Sequence, residues 1–576
     1  YEVSVRVKVC DPSVGLESNC VKYGSNYKPE GLIQEYSSKI LYSAFSYQNV
    51  DGQDLDGGVL RANAKFVGPQ SYYPESGPQA NPAREWDPAT GILYQNPDAA
   101  DAAATSARVT AGGACAVTGG CVIRNSGVIN YLNKFGQMNT GKNVKSQDNV
   151  SELYYTAIRY FKHLGDVPAY SVLSGNATNR YQRADGFPII TNWNEVVAGK
   201  RIRDPIRYQC QTNVILGIGD TNTWQDKNLP SASATSATAE PNPKPQEVRD
   251  DNTVDVIEMM TKIWQMEMGW TEAAARTRAS RDHFNNAGHH NSAYIAALAY
   301  DSRTRDIRPE TRPNGFPNKQ TISTHWVDVI EGGTDNDYKN TETNQYYLAG
   351  KYGGFAVPEG FDPDTRTAAL PQAWWATGDM TPRFRRPNNY DAASDATKMV
   401  ESLTNAFSRI VAEMVGSGSS FAANTTKLEA GAMTFQAQFY GGTWGGELNA
   451  YTVNPATGAL TTAWNATAHF PVNYTDRKIY FGSGASTLSL VAHGSMAGTP
   501  LATATANEIN YLRGDRSQEL ANGAGLRQRR SVLGDIVNSQ PVYVGTPNGQ
   551  LYRGATFTGA SGYPAFVAAK AAANRS

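Results

Sequence analysis

The sequence predicts an α/β domain to about residue 355, a helical connector over 356–418, and a mainly β region over 419–576. Three observations carry this. In the first half, apolar runs alternate with amphipathic stretches, the pattern of parallel strands joined by crossover helices on both faces of a sheet. Beyond Ser419, apolar residues recur at every second position, as in half-buried strands. Between the two lies one long amphipathic stretch, Ser394 to Val415, closed by Gly416.

Taken in order, Tyr1 to Val9 alternates as a strand, and a chain opening on a strand without Met is expected to be a processed or trimmed product. Ser151 to Leu164 predicts a helix, with Tyr154, Ile158 and Phe161 on one stripe and Gly165 as its stop. Thr212 to Asp220 is an apolar run ending in a carboxylate. A helix is expected from about Thr253 to Met268, burying Val256, Met260, Ile263 and Trp264, and a strand over Thr321 to Ile330. Two segments, the Ala-rich 98–119 and the Ser/Ala/Pro-rich 228–246, are expected to be poorly structured surface excursions. In the connector helix, Met399, Leu403, Phe407, Ile410 and Met414 share a face. Met433 to Phe439 and Glu447 to Val453 then alternate, and Asn454 to Gly458 is a turn leading to Trp464. A strand–turn–strand unit with a terminal Trp looks like one propeller blade, where an aromatic packs between blades. Near the end, Val532-Leu533 and Ile536-Val537 feed Val542-Tyr543-Val544, with Pro541 where no ladder donor is needed.

At 576 residues the chain exceeds a single core, and roughly three or four domains are expected. A net charge of −1 lacks the basic stripe of a nucleic-acid binder. No apolar run approaches a membrane span. Cys10 with Cys20, and Cys115 with Cys121, bracket short loops without neighbouring His, which reads as two local disulfides rather than zinc and favours an oxidising, extracytoplasmic location. Cys210 is left over.

The string Leu533-Gly534-Asp535-Ile536-Val537-Asn538-Ser539 with Pro541 and Tyr543 resembles the signature of the PilC/PilY family of type IV pilus tip adhesins and assembly factors. Val5 to Cys10, Asn26 to Gln34, Tyr208 to Asn213 entering Asp220 to Thr223, Trp444 to Tyr451 and Asn510 to Arg516 extend the resemblance over nearly the whole chain. It implies an α/β von Willebrand factor A-like domain with insertions over 1–355 and the first, incomplete part of a β-propeller over 419–576. An Asp-x-Ser-x-Ser metal loop is absent here and would lie upstream of Tyr1. Further blades would lie beyond Ser576.

Asp220 ends a predicted buried parallel strand, where α/β sheets place ligands. By resemblance it stands for the carboxylate of a von Willebrand A metal site, with Ser151 a weaker match for a hydroxyl ligand of Mg. Asp51, Asp54 and Asp56 cluster in a Gly-rich loop without the spacing or closing Glu of a calcium loop, so a solvated turn competes with Ca binding. Arg513-Gly514-Asp515 is a tripeptide that integrins recognise on exposed loops; against this stands a structural turn in which Asp515 pairs with a neighbouring Arg. His283, His289 and His290 lack a metal-binding spacing and suit surface or capping roles. No nucleophile elbow, P-loop or dinucleotide fingerprint occurs, so no enzymatic activity is expected.

The resemblance implies an extracellular protein at the pilus tip or peripheral to the outer membrane. It would bind minor pilins and a host-cell or abiotic surface and would have no nucleic-acid partner. Two alternatives compete. Ala450 to Trp464 also resembles a blade of quinoprotein dehydrogenases, although those repeat it around a ring, and a passive surface structural protein would show the same composition.

Overall fold

The computed structural model describes residues 8–571 other than 49–54, 74–76, 136–146, 198, 210, 222, 233–241, 282–288, 331–343, 359, 377–379, 382–383, 417–419, 424–432, 441–444, 455–459, 472, 485–486, 498, 500, 520–525, 527–528, 530–531 and 535–561. It divides into two units: Tyr1–Tyr73 with Pro78–Glu413, and Pro74–Gly77 with Met414–Ser576. The opening strand up to Val7, Cys210, Asp51, Asp54, His283 and the signature from Asp535 onward lie outside the described residues.

In the first unit a hairpin of β1 (Tyr42–Ser46) and β2 (Val59–Lys65) precedes α1 (Ala99–Thr110), α2 (Val150–Phe161) and α3 (Ala177–Ala184). Strand β3 (Asn213–Gly219), helices α4 (Val256–Met268) and α5 (Tyr294–Thr304), strand β4 (Ile322–Val329), helix α6 (Gln345–Gly354) and strand β5 (Tyr390–Ala393) follow. β4 lies between β5 and β3 and is parallel to both, as strands separated by helices require. Its interior position buries it on both faces, so even Ser323, Thr324, His325 and Asp328 are inaccessible. α5 and α6 pack on β4, and the hydroxyl of Tyr154 on α2 meets Thr324 Oγ1 at 2.6 Å. Trp326 lies opposite Gly217 in the β3–β4 register, where a Cβ on Gly217 would sit 2.0 Å from its ring. Glycine is therefore required for the two strands to pair at that point.

The Ala-rich segment departs from expectation. Residues 99–110 form α1, with Asp101, Ala102, Thr105 and Val109 buried. Alanine has the highest helix propensity, so a helix forms here although Ala102 and Val109 are its only buried apolar residues. Segment 228–246 is likewise anchored at its start, where Asn228 and Leu229 are buried. Both expected disulfides form, with Cα–Cα distances of 5.6 Å for Cys10–Cys20 and 5.9 Å for Cys115–Cys121. Cys121 packs with Val59, Val109 and Ile123 beneath α1.

Helix α7 (Ala396–Gly416) leads to the second unit. There β6 (Ser420–Ala423), β7 (Met433–Tyr440), β8 (Gly445–Val453) and β9 (Leu460–Asn465) form a four-stranded antiparallel sheet in sequence order. Trp464 stands opposite the buried Ala450, beside a bulge, with its ring 6.2 Å from that of Phe435. Four antiparallel strands are the content of one propeller blade; among the described residues no sheet closes into a ring. A hairpin, Tyr480–Gly484 with Thr487–Leu490, and helix α8 (Ala506–Arg513) complete this unit's main elements. Of the C-terminal signature, Leu533 is described, and its carbonyl accepts the Gly446 amide at 3.1 Å, which fastens it to the start of β8.

Candidate functional site

At the carboxyl end of the parallel sheet, strand ends and helix starts bring carboxylates together. Asp220 follows β3 directly and is half-buried. Asp226 lies in the next loop with no exposed surface, and Asp328 is near the end of β4. The starts of α2 and α5 contribute Ser151, Glu152 and Ser292. Helix N-termini carry unpaired amides and the positive end of the dipole, which favours carboxylates here.

Asp226 is the centre of this arrangement. Its Oδ1 accepts the Ser151 amide at 2.7 Å and the Glu152 amide at 3.3 Å. Its Oδ2 accepts hydroxyls from Ser151 at 2.6 Å, Ser292 at 3.1 Å and Thr223 at 3.3 Å. Burial is the largest influence on its acidity and raises its pKa from 3.8 to about 7, against the pull of these donors. The backbone joins in: the Gln225 and Asp226 amides donate to the carbonyls of His289 and His290 at 2.7 and 3.0 Å. Those histidines thus hold the Asp226 loop through their main chain. Asp226 thereby staples the start of α2 to the segment leading into α5.

Neighbouring acids are satisfied in the same manner. Glu152 accepts the amides of Gly57 and Asn228 at 2.9 Å each, and the Asn149 side chain at 2.7 Å. Asp56 is buried and binds the side-chain amides of Asn228 at 2.7 Å and Asn242 at 3.0 Å, so it ties two loops together. Asp328 accepts the Tyr390 hydroxyl at 2.6 Å and Asn344 at 2.8 Å, while Asn344 caps α6. Between these acids stand two tyrosines. Burial, followed by Asp148, Asp226, Asp220 and Glu152, pushes the Tyr47 phenol well up. Burial, then Tyr47, Asp148, Asp220 and Asp226, does the same to Tyr346. The Tyr346 hydroxyl, the Gln345 amide and Trp326 Nε1 are buried without a hydrogen-bond partner among the described residues. Under-satisfied polar atoms at a sheet end are where bound water or a ligand group would enter.

The structure therefore pairs Ser151 with Asp226 rather than reserving it for Asp220. Ser151 Oγ donates to Asp226 and accepts the Ile295 amide at 3.0 Å, which occupies most of its capacity. A divalent cation at Asp220 needs about six oxygen donors. Among the described residues, the group of three or more His, Cys, Asp and Glu side chains whose ligand atoms lie within 4.8 Å is Cys10, Glu17 and Cys20, and its two cysteines are disulfide-bonded. Ser151 is thus engaged by Asp226, Asp56 is held by Asn228 and Asn242, and Asp51 and Asp54 of the candidate calcium loop lie outside the described residues. Sequence reasoning does not single out Asp226, because its partners come from positions 75 and 66 residues away. A second carboxylate six residues beyond Asp220 is the one local signal.

Arg513-Gly514-Asp515 closes α8. Gly514 is the C-cap at φ 118°, a conformation that favours glycine. Arg513 lies over the Tyr474 ring at 5.8 Å, and Asp515 accepts the Ser517 amide at 2.9 Å. Asp515 thus turns back on its own backbone, and Arg516 pairs with Glu519 instead.

An α/β unit with an acid-lined sheet end, followed by an antiparallel β unit, defines an architecture that comparison with known proteins narrows. No family model matches the chain, and no solved structure does. The chain is 55% identical over 581 residues to a protein of Xylella fastidiosa named Type IV pilus biogenesis factor PilY1 homolog, covering 99% of the chain and 45% of that protein. A segment is 30% identical over 146 residues to Type IV pilus biogenesis factor PilY1 of Pseudomonas aeruginosa, covering 22% of the chain and 12% of that protein. The chain belongs to the PilY1 family, and it spans less than half the length of these relatives.

Proposed function

We propose that the chain is part of a type IV pilus biogenesis factor that also mediates attachment, acting outside the cell at the pilus tip through minor pilins. The observation that carries this is sequence identity running along 99% of the chain to a relative bearing that name. The two disulfides support an oxidising compartment. No described helix is long and apolar enough to cross a membrane, which is compatible with peripheral association. On this reading the α/β unit presents a ligand-facing surface and the β unit contributes to docking. A catalytic propeller is the weaker reading, because the blade-like sheet occurs singly among the described residues.

Immobilised full-length protein should retain the purified minor pilins of its own organism and release them when they are added free in excess. Failure to retain any of them, with the protein folded by circular dichroism, would favour a passive surface component.

A further inference from the structure

We propose that a groove in the first unit, between the ends of α1 and α3 and the loops over 165–173 and 191–195, binds a neutral, hydroxyl-rich oligosaccharide. The groove has a volume of about 1050 Å³, the scale of a site for a short chain of sugars rather than a single ring.

Its walls carry unmatched hydrogen-bonding capacity. Asp166 Oδ2 accepts the Ser171 hydroxyl at 2.5 Å and the Val167 amide pulls on the same carboxylate, while Oδ1 is buried without a well-formed hydrogen bond among the described residues. A buried carboxylate oxygen in that state calls for an external O–H or N–H. Facing requirements of the opposite kind come from Asn194, whose exposed side chain makes no internal hydrogen bond among the described residues, and from Thr191. Arg180 donates through Nε to the Gly175 carbonyl and through Nη1 to the Arg108 carbonyl at 2.9 Å each, which leaves Nη2 without an acceptor among the described residues.

The chemistry favours alcohols over ions. Two cations, Arg108 and Arg180, face two carboxylates, Asp166 and Glu195, so the lining is balanced. Arg108 is moreover tied to the carbonyls of Ile189 at 3.0 Å and Ser171 at 2.7 Å, which makes it scaffold. A hydroxyl both donates and accepts, so vicinal diols satisfy a carboxylate and an amide together. Exposed Pro168 and Val172, the latter 41% accessible, provide an apolar strip for the C–H face of a sugar ring. A peptide added as a strand would instead require a sheet edge, and among the described residues no strand lines the groove.

The use of this site rests on the attachment reading, but its test does not. Titration calorimetry of the full chain with maltotriose, cellotriose, N-acetyllactosamine and lacto-N-tetraose should show binding of at least one, with Kd in the millimolar range or tighter. Asp166→Asn and, separately, Asn194→Ala should each weaken that binding about tenfold, the loss of one hydrogen bond to a charged or amide partner. Asn194 is exposed, so its variant should keep the parent melting temperature. No binding of any of the four sugars, or equal binding by both variants, would overturn the proposal. Either result would leave the minor-pilin experiment untouched, whereas pilin retention without sugar binding would isolate the failure to this groove.

Discussion

Between Asn149 and Tyr390, apart from the under-satisfied group at Gln345, Tyr346 and Trp326, the first unit buries several charges and hydroxyls as matched sets: Asp226 among three hydroxyls, Arg308 forked on Asp204 at 3.1 and 2.9 Å, and Lys162 on Asp301 at 3.3 Å. The four-stranded sheet of the second unit buries mainly small or apolar groups, Phe435, Ala437 and Ala450 on one face, with Asn449 as a buried polar residue bonded to Asn465. The difference teaches where each unit is vulnerable. Matched polar sets specify one arrangement and fail when one member goes, because the remaining charge stays buried. An antiparallel ladder over small residues fails when volume is added.

Removing one member of a matched set should have the largest effect. Arg308→Ala leaves Asp204 buried without its fork and should destabilise the first unit by about 3–5 kcal/mol, read from urea denaturation. A loss of under 1 kcal/mol would mean that water reaches Asp204. In the second unit, Ala450→Leu overpacks a position with no accessible surface beside Trp464 and should cost about 1–3 kcal/mol, with the first unit's transition unmoved.

The polar sets also imply a pH dependence. Burial holds the folded pKa of Asp226 up to about 7, above its ordinary 3.8, so the folded state binds this proton more tightly than the unfolded state. The stability it contributes is therefore complete below about 3.8 and is lost as pH rises toward about 7. Asp226→Asn cannot ionise, and its melting temperature should fall less between those pH values than that of the parent. Equal slopes would assign the dependence to other groups. The smallest effect expected is that of added Mg or Ca: with Ser151 committed to Asp226, millimolar cation should barely move the melting temperature. A clear rise abolished by Asp220→Ala would instead establish a cation at the strand end.

Local signals were legible where a single periodicity decides the element. The apolar run ending at Asp220, the stripe of Tyr154, Ile158 and Phe161, and the alternation from Met433 all correspond to observed elements. The helix at 99–110 was not legible, because alanine contributes helix propensity but little hydrophobic contrast. Asp226, and the part that the sequence-flagged Asp56 plays in tying two loops together, were hidden for another reason. Their partners are brought in from distant segments, as Asp56 and Asn242 are from 186 residues apart, and no spacing rule reaches that far. The cysteine pairs lie at the other extreme: separations of 10 and 6 residues leave few alternatives.

The role proposed is that of the whole protein of which this chain is a part, pilus assembly together with attachment. It is tested most directly by deleting its gene and measuring, on the same cells, sheared surface pilin and adherent cell number. Both should fall together and return together when the full-length gene is restored. Normal surface pilin in the deletion strain would contradict the account.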